Sequence, residues 1–139
     1  MHLDPGHENI ERLLERGVDG PVTMLNLLRL RAVADYSASP ELAPATPISG
    51  RAAYERYIAH TLPFLEATGG SLTMLAEGGH PFVGPVDERW DLVMLVAQAS
   101  LQDFFGFADD EAYLAGIGHR TAALEDSRLI PLVEVQPEG

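Results

Sequence analysis

PVTMLNLLRLR, residues 21–31, decides the fold, because this short run is apolar on both sides of a strand. Side chains alternate between the two faces of a β-sheet, so Met24 and Asn26 share one face while Leu25 and Leu27 lie on the other. The run is shorter than the roughly 20 apolar residues that a membrane span needs. It therefore predicts a strand that is buried on both faces, with Asn26 in need of a partner inside the protein.

A second run, RWDLVMLVAQ at residues 89–98, has the same property. Leu92 and Met94 point to one face, and Val93 and Leu95 point to the other. An antiparallel sheet with one face in water alternates apolar and polar residues, and neither run does so. Both faces of the predicted sheet must therefore be covered.

Helices and turns follow from caps, breakers and spacing. Ser49 and Ser100 are good N-caps, and Asp103 gives Ser100 a pattern that resembles a capping box. Pro63 should kink or divide its helix, and Pro131, which cannot donate to a ladder, should place the last strand at a sheet edge. The predicted elements are a helix at 7–17, a strand at 21–30, a loop at 32–48, a helix at 51–68, strands at 71–77 and 89–98, helical turns from 100 to 124 and a strand at 128–135.

Without the leading helix, this order is β-α-β-β-α-β, which is typical of a ferredoxin-like fold. We expect one α+β domain over residues 1–139, with a four-stranded antiparallel sheet, helices on one face and an extra N-terminal helix. Two helices shield only one face, and a bare second face exceeds the few hundred Å² of apolar patch that monomers usually expose. The sequence therefore predicts a homodimer in which two sheets pack together as a dimeric α/β barrel.

Charge and composition exclude several classes of partner. Nine Lys plus Arg residues against 21 Asp plus Glu residues give a formal charge of −12, which disfavours nucleic acid and anionic membrane surfaces. The sequence has no cysteine, so disulfides and thiolate ligands are excluded. The N-terminal residues do not resemble a signal peptide, and we expect a cytoplasmic protein that does not span a membrane.

No metal or cofactor is expected from the motifs. The five histidines show neither H-x-H nor H-x-x-x-H spacing. The glycines form neither a dinucleotide fingerprint nor a phosphate-binding loop. The sequence thus gives no reason to expect a metal ion, a nicotinamide nucleotide or ATP.

Three residues are candidates for catalysis. His60, at the border of the packed face of its helix, is a candidate general base, because histidine is the side chain best suited to proton transfer at physiological pH. Asn26 is a candidate orienting amide, and Arg120 is a candidate partner for a carboxylate or phosphate group. The alternatives remain open: a structural His60, an Asn26 that satisfies a loop or helix end, and a salt bridge from Arg120 to Asp126.

Further residues have the chemistry to contact a ligand. Aromatic side chains at helical spacing are usually core residues, so core packing is the alternative for the tyrosines, as a barrel-end plug is for the tryptophan. A surface ion pair is the alternative for the arginine near the end of the first strand. The candidate ligand-binding residues are Tyr54, Tyr57, Arg29, Trp90, Tyr113 and His119.

Several stretches together resemble the family of unknown function numbered 1330 (DUF1330). They are MLNLLRLR, AYERYIAHTLPFLEATGG, WDLVMLV and EAYLAGIGHRTAALEDSRLIPL, and the resemblance runs from about Gly20 to Val133. The resemblance implies a dimeric α/β barrel and little about chemistry, because the activity of the family is not established. The chain departs from related sequences at Ala97–Ser100, where those sequences tend to have an aromatic residue and a proline before the serine.

Two functions from different classes fit this sequence. In the first, the barrel encloses a pocket for a small apolar or aromatic ligand, and a cofactor-independent monooxygenase- or isomerase-like reaction takes place there. His60 would accept the proton, and Asn26 or Arg120 would stabilise an enolate-like oxygen. In the second, the protein is a non-catalytic structural or ligand-binding dimer, in which the same side chains satisfy one another. Haem binding is a third hypothesis, with His60 or His119 as the only candidate ligands.

Overall fold

The computed structural model describes residues 1–136. Its helices and strands follow the predicted order and differ from the prediction mainly in their bounds. In chain order they are α1 (His7–Glu15), β1 (Val22–Leu30), α2 (Gly50–Ala67), β2 (Ser71–Gly79), β3 (Trp90–Gln98), α3 (Leu101–Ala108), α4 (Glu111–Leu114), α5 (Ile117–Ala123) and β4 (Leu124–Leu132), with a short 3-10 helix at Pro40–Leu42 between β1 and α2.

The four strands form one antiparallel sheet in the order β2-β3-β1-β4. At its centre, Leu25 of β1 lies opposite Leu95 of β3, and Asn26 lies opposite Met94. β4 is an outer strand, so Pro131 lies at a sheet edge, as predicted. The chain therefore has the predicted ferredoxin-like α+β fold, with an open sheet rather than a closed barrel.

One face of the sheet, called here the covered face, lies under the helices and forms the core. The even-numbered side chains of β1 are buried there, and Leu28 is fully buried. α2 packs on this face with Tyr54 and Leu65, which belong to the same buried cluster. Burying one large apolar side chain of this kind stabilises the fold by roughly 1.5–3 kcal/mol. The broad apolar stripe of α2 is thus what holds the helical layer on the sheet.

The opposite face, called the open face, carries the odd-numbered side chains of β1, which are only half-buried. Its middle is apolar, because Leu25 lies between Leu95 of β3 and Ile130 of β4. Met74 extends the same face along β2 and is 50% exposed, while Ile130 is 44% exposed. In the single chain, the second apolar face predicted from the sequence is therefore in contact with solvent.

The predicted helix starts are confirmed by their caps. Ser49 Oγ accepts a hydrogen bond from Ala52 N at 3.0 Å, and Ser100 Oγ accepts one from Asp103 N at 3.0 Å. Such caps satisfy backbone N–H groups that have no partner within the helix. Pro63 does not divide its helix, since α2 continues through it from Gly50 to Ala67.

Three predicted strand bounds are wrong by two residues or more, and one of them is the end of β4, which lies at Leu132 and not at Val135. β4 begins at Leu124, four residues earlier than predicted, because Leu124 pairs with Leu30 beyond a bulge and is fully buried. Its apolar side chain fits the helical spacing of the preceding turns, which is why the sequence pattern extended the helix through it. β2 runs on through Gly79, which pairs with Trp90, so the predicted turn begins two residues too early.

Gly50 lets the helical layer approach the end of β1 closely. Gly50 N donates to Arg31 O at 3.1 Å, and Arg31 N donates to Ala123 O at 2.8 Å. A Cβ atom on Gly50 would lie 2.2 Å from Arg31 O and 2.8 Å from Ala123 O. The start of α2, the end of α5 and the end of β1 therefore meet at a point where only glycine fits.

α1 lies beside the sheet and is less firmly packed than the other helices. It buries none of its residues, and Leu14 of its predicted apolar stripe is 59% exposed. Arg16 Nη1 donates to Pro131 O at 2.8 Å, which ties the end of α1 to β4. Gly17 follows with a φ angle of 61°, the left-handed conformation in which a glycine commonly ends a helix.

Candidate functional site

A cavity of about 960 Å³ lies between the covered face and the helices. Small-molecule pockets in proteins commonly measure roughly 300–1,000 Å³, so this volume is at the upper end of that range. Residues 2–16 lie along its rim, beside β4. The side chains that line it include Met24, Asn26, Tyr57, Thr61, Leu65, Leu72, Met94, Val96, Gln98, Phe104, Tyr113 and Arg120.

One end of the cavity, called the amide end, is formed by Gln98 of β3, and Thr61 of α2 also lines the cavity. Gln98 is 2% exposed, and both Nε2 and Oε1 are buried without a hydrogen-bond partner among the described residues. The Thr61 hydroxyl is likewise buried without a partner in that part of the chain. Leaving such a group unpaired costs roughly 1–3 kcal/mol, and native proteins seldom do so. These two side chains are therefore the strongest indication of a ligand contact in the cavity.

The other end, called the arginine end, contains Arg120 of α5 together with Tyr57 and Tyr113. The two tyrosine hydroxyls lie 2.7 Å apart and share a hydrogen bond. Arg120 donates to Leu3 O at 2.7 Å and to Ser127 Oγ at 3.3 Å. Burial is the main cause that raises the pKa of Tyr113, so its hydroxyl stays protonated at neutral pH. This end therefore presents one guanidinium and two hydroxyl groups.

Asn26 lies on the floor of the same cavity. It is 7% exposed, and its Nδ2 donates to Met24 O at 3.2 Å within its own strand. The sequence predicted that the buried Asn26 amide needs a hydrogen-bond partner. The backbone of its own strand provides that partner for the amide nitrogen. Within residues 1–136, the amide oxygen of Asn26 makes no hydrogen bond and remains an acceptor for a ligand.

The two ends are separated by apolar walls. Asn26 lies opposite Met94, and Gln98 follows four residues further along β3, about 13 Å away at 3.3 Å per residue. Val96, between them on the same face, lines the cavity together with Leu72. An elongated apolar molecule with a polar group at each end matches this arrangement.

The first residues of the chain cross the rim at the arginine end. His2 N donates to Asp126 Oδ1 at 2.7 Å, and Ser127 Oγ donates to His2 O. Burial would raise the pKa of Asp126, but the His2 N–H, the Arg128 guanidinium and the Ser127 N–H together lower it to about 2. Asp126 is therefore a carboxylate at neutral pH and holds the N-terminal segment, residues 1–6, against β4.

The two histidines predicted to act lie outside the cavity lining, on the outer side of the helical layer. His60 Nε2 lies 2.9 Å from Ala112 O, and its ring packs against Phe64. His119 Nδ1 lies 2.8 Å from the Tyr36 hydroxyl, and burial is the main cause that lowers its pKa. The predicted base is therefore not brought together with Asn26 and Arg120, and a catalytic role for His60 remains a prediction.

Three other predicted ligand-binding residues also lie outside the lining. Tyr54 is buried in the core, where its hydroxyl lies 3.9 Å from a methionine sulfur. Arg29 lies on the open face, with Nη2 3.6 Å from Asp126 Oδ2. Trp90 lies near this group, since the guanidinium carbon of Arg128 is 5.3 Å from the centre of its ring. Of the predicted set, the cavity thus collects Asn26, Tyr57, Tyr113 and Arg120.

Gln98 and Thr61 were missed in the sequence, although each carried a signal. Gln98 has the strand parity of Leu92 and Met94, so it falls on the face that is buried under the helices. Thr61 lies on the packed face of α2, one turn after Tyr57. A polar residue at a position that the pattern marks as buried is the signal that could have found both.

The chemistry of the cavity comes from hydrogen bonds and one positive charge. Within residues 1–136, no three His, Asp or Glu side chains converge in a manner suited to a metal ion. No helix in the same part of the chain is long and apolar enough to cross a membrane.

A ferredoxin-like α+β domain with a cavity between its helices and its sheet is the class that fold and site define. No protein-family model and no curated protein matches the chain. Two crystal structures of RPA0582, a protein of unknown function from Rhodopseudomonas palustris, are similar to it over almost their whole length. One is 34% identical, with a TM-score of 0.83, and covers 98% of each chain. The other, of the methylated protein, is 33% identical, with a TM-score of 0.84, and covers 99% of this chain and 98% of RPA0582.

The chain belongs to the family of RPA0582. A more distant likeness is to SnoaB, a cofactor-independent oxygenase from Streptomyces nogalater, at 14% identity and a TM-score of 0.49 over 86% of this chain and 100% of SnoaB. At that distance the likeness carries no argument about activity.

Proposed function

We propose that this protein binds a small apolar or aromatic molecule in the cavity between the helices and the sheet. The observation that carries the proposal is Gln98, whose amide is buried with neither polar atom hydrogen-bonded among the described residues. A purely structural glutamine would be paired by its own chain, because an unpaired buried amide destabilises the fold. The same reasoning applies to Thr61, which also lines the cavity.

The ligand contacts follow from the lining. Apolar side chains form most of the cavity wall and would contact the body of the ligand, while a few placed polar groups would fix its orientation. At the amide end, Gln98 offers both a donor and an acceptor, so it suits a hydroxyl, amide or carbonyl group. Asn26 adds an acceptor on the floor.

We also propose that the open face packs against the same face of a second copy. Leu25, Leu95 and Ile130 form an apolar surface there, and Met74 extends it to the outer strand. Burying such a surface stabilises by roughly 25 cal/mol for each Å² removed from water. Two sheets would then pack face to face, which gives the dimeric α/β barrel. We also propose that the chain is a member of DUF1330, because the four stretches that resemble this family follow one another in the same order here.

A cofactor-independent oxygenation or isomerisation is the reaction that the arginine end favours. The hydroxyl pair of Tyr57 and Tyr113 lies beside Arg120, and these donors would stabilise an enolate-like oxygen of a bound substrate. Asn26 would orient the substrate from the floor. A haem ligand from His60 or His119 finds no support in this geometry, since neither lines the cavity.

A thermal-shift screen of small aromatic and aliphatic compounds tests ligand binding, since a ligand that binds only the folded state raises the Tm. We expect compounds that raise the Tm of the native protein, and a much smaller rise for Gln98→Met, which keeps the side-chain volume but removes the amide. Gln102→Met, at an exposed position of α3, is the matched control and should respond like the native protein. The proposal fails if no compound raises the Tm, or if Gln98→Met responds like the control.

A further inference from the structure

Arg120 differs from the arginines around the open face in having only neutral hydrogen-bond partners. Arg29, Arg89 and Arg128 each contact a carboxylate within 4.0 Å. Arg120 contacts none within the described residues, and its hydrogen-bond partners are Leu3 O and Ser127 Oγ. A guanidinium is always charged, and a part-buried charge is stabilised best by an opposite charge.

One group that now holds Arg120, Leu3 O, belongs to the N-terminal segment, whereas Ser127 belongs to β4. Leu3 O accepts from Arg120, and His2 O accepts from Ser127, so two carbonyl oxygens lie next to each other at the arginine end. The N-terminal segment leads into α1, which buries no residue. The carbonyl oxygens of His2 and Leu3 stand where the two oxygens of a carboxylate would form stronger, charge-assisted bonds.

We propose that the ligand is an elongated apolar carboxylic acid whose carboxylate displaces His2 O and Leu3 O and bonds to Arg120 and Ser127. Its apolar body would lie along Val96 and Leu72, and a second polar group would reach Gln98 at the amide end. This inference rests on the proposed ligand-binding function, and it adds the charge of the ligand and the movement of the N-terminal segment. The binding step changes no covalent bond and only exchanges hydrogen bonds.

A matched pair of probes tests the charge. 10-Hydroxydecanoate and decane-1,10-diol differ at one end only, and calorimetric titration gives both dissociation constants. We expect the carboxylate to bind at least ten-fold more tightly than the diol. Arg120→Gln should abolish that preference, and Arg120→Lys, which restores a charge, should recover part of it. Arg51→Gln removes a surface arginine paired with Glu77 and should keep the full preference.

The outcomes separate this inference from the proposed function. If the diol binds as tightly as the carboxylate, or if Arg120→Gln keeps the preference, the carboxylate is excluded while the cavity remains a ligand site. If neither probe binds but the compound screen finds ligands that depend on Gln98, the inference is overturned alone. If neither the probes nor the screened compounds bind, both are overturned.

A second readout follows the N-terminal segment directly. If the carboxylate displaces His2 and Leu3, α1 keeps its Arg16 contact with Pro131 O but loses the hydrogen bonds of the N-terminal segment. Trypsin should then cleave after Arg12 and Arg16 several times faster with 10-hydroxydecanoate than with the diol. An equal cleavage rate with both probes would overturn the displacement. Circular dichroism of the Arg120 variants confirms that they are folded, and Arg120→Lys provides the test if Arg120→Gln does not fold.

Discussion

The two faces of the sheet differ in the partners of their polar side chains, although Arg29 Nε near the open face is also buried without a hydrogen bond among the described residues. Near the open face, Arg29, Arg89 and Arg128 pair with Asp91, Glu125 and Asp126. On the covered face, the Gln98 amide and the Thr61 hydroxyl are buried with no partner among the described residues. This difference shows that the chain provides ionic partners for the charged side chains near the open face. The proposed ligand would supply hydrogen-bond partners for the unpaired groups between the covered face and the helices.

The largest effect is expected on the open face, from Leu95→Asp at its centre. If two copies meet there, the substitution places two negative charges in an apolar interface, at a cost on the order of 4 kcal/mol or about a thousand-fold in the Kd of the dimer. Sedimentation velocity at micromolar concentration should then show a single subunit. Leu14→Asp, on the exposed side of α1, is the control and should remain dimeric. A native protein that sediments as a monomer would contradict the proposed dimer.

The attachment of the helices to the covered face is tested by Gly50→Ala. The new Cβ would lie 2.2 Å from Arg31 O, a backbone atom that can move only if the end of β1 moves. Overpacking of this kind costs up to about 3 kcal/mol of unfolding free energy, measurable by urea denaturation. Gly106→Ala in α3 is the control, because a Cβ there has no neighbour within 4 Å. It should raise stability by up to about 1 kcal/mol, through the better helix propensity of alanine.

The hydroxyl pair at the arginine end is tested by a double-mutant cycle of Tyr57→Phe and Tyr113→Phe. Each single change leaves the other hydroxyl buried without its partner and should cost about 1.5 kcal/mol of unfolding free energy. The double change should cost little more than one single change, which gives a coupling energy of about 1 kcal/mol. Strictly additive costs would show that the 2.7 Å contact contributes nothing to stability.

The fold could be predicted from the sequence because it depends on periodicity, which is a local signal. The strand alternation around Asn26 and the caps at Ser49 and Ser100 predicted the element order and the helix starts. The structure confirms both. The predicted start of β4 was wrong, because the apolar side chain of Leu124 fits the spacing of a helix and the spacing of a strand equally well. Such an ambiguity is resolved only by a strand partner distant in sequence.

The site could be predicted only in part. Asn26, Tyr57, Tyr113 and Arg120 were named from their chemistry, and all four line the cavity. The contacts of the N-terminal segment with β4 join residues more than one hundred positions apart, and no local pattern indicates them. The burial of Gln98 without a hydrogen bond likewise depends on neighbours from α2 and the turn before β2, which the sequence does not place.

The smallest expected effect is the pH dependence that Asp126 contributes. Its folded-state pKa is lowered from 3.8 to about 2, so its contribution to stability is present above pH 4 and is lost as the pH falls toward 2. Urea unfolding at pH 5, 4 and 3 should show that Asp126→Asn loses less stability on acidification than the native protein. Asp19→Asn, in an exposed loop, controls for the removal of one negative charge. Parallel acid profiles for native protein and Asp126→Asn would contradict this contribution.

The most direct test of the ligand cavity is the stability of a variant with both Thr61→Val and Gln98→Met, measured by urea unfolding without ligand. The account predicts an increase in unfolding free energy of about 2 kcal/mol, because three buried polar atoms without partners are removed. The same variant should lose the Tm rise that screened compounds give the native protein. A loss of stability, with the response to those compounds unchanged, would show that these side chains serve the fold and not a ligand.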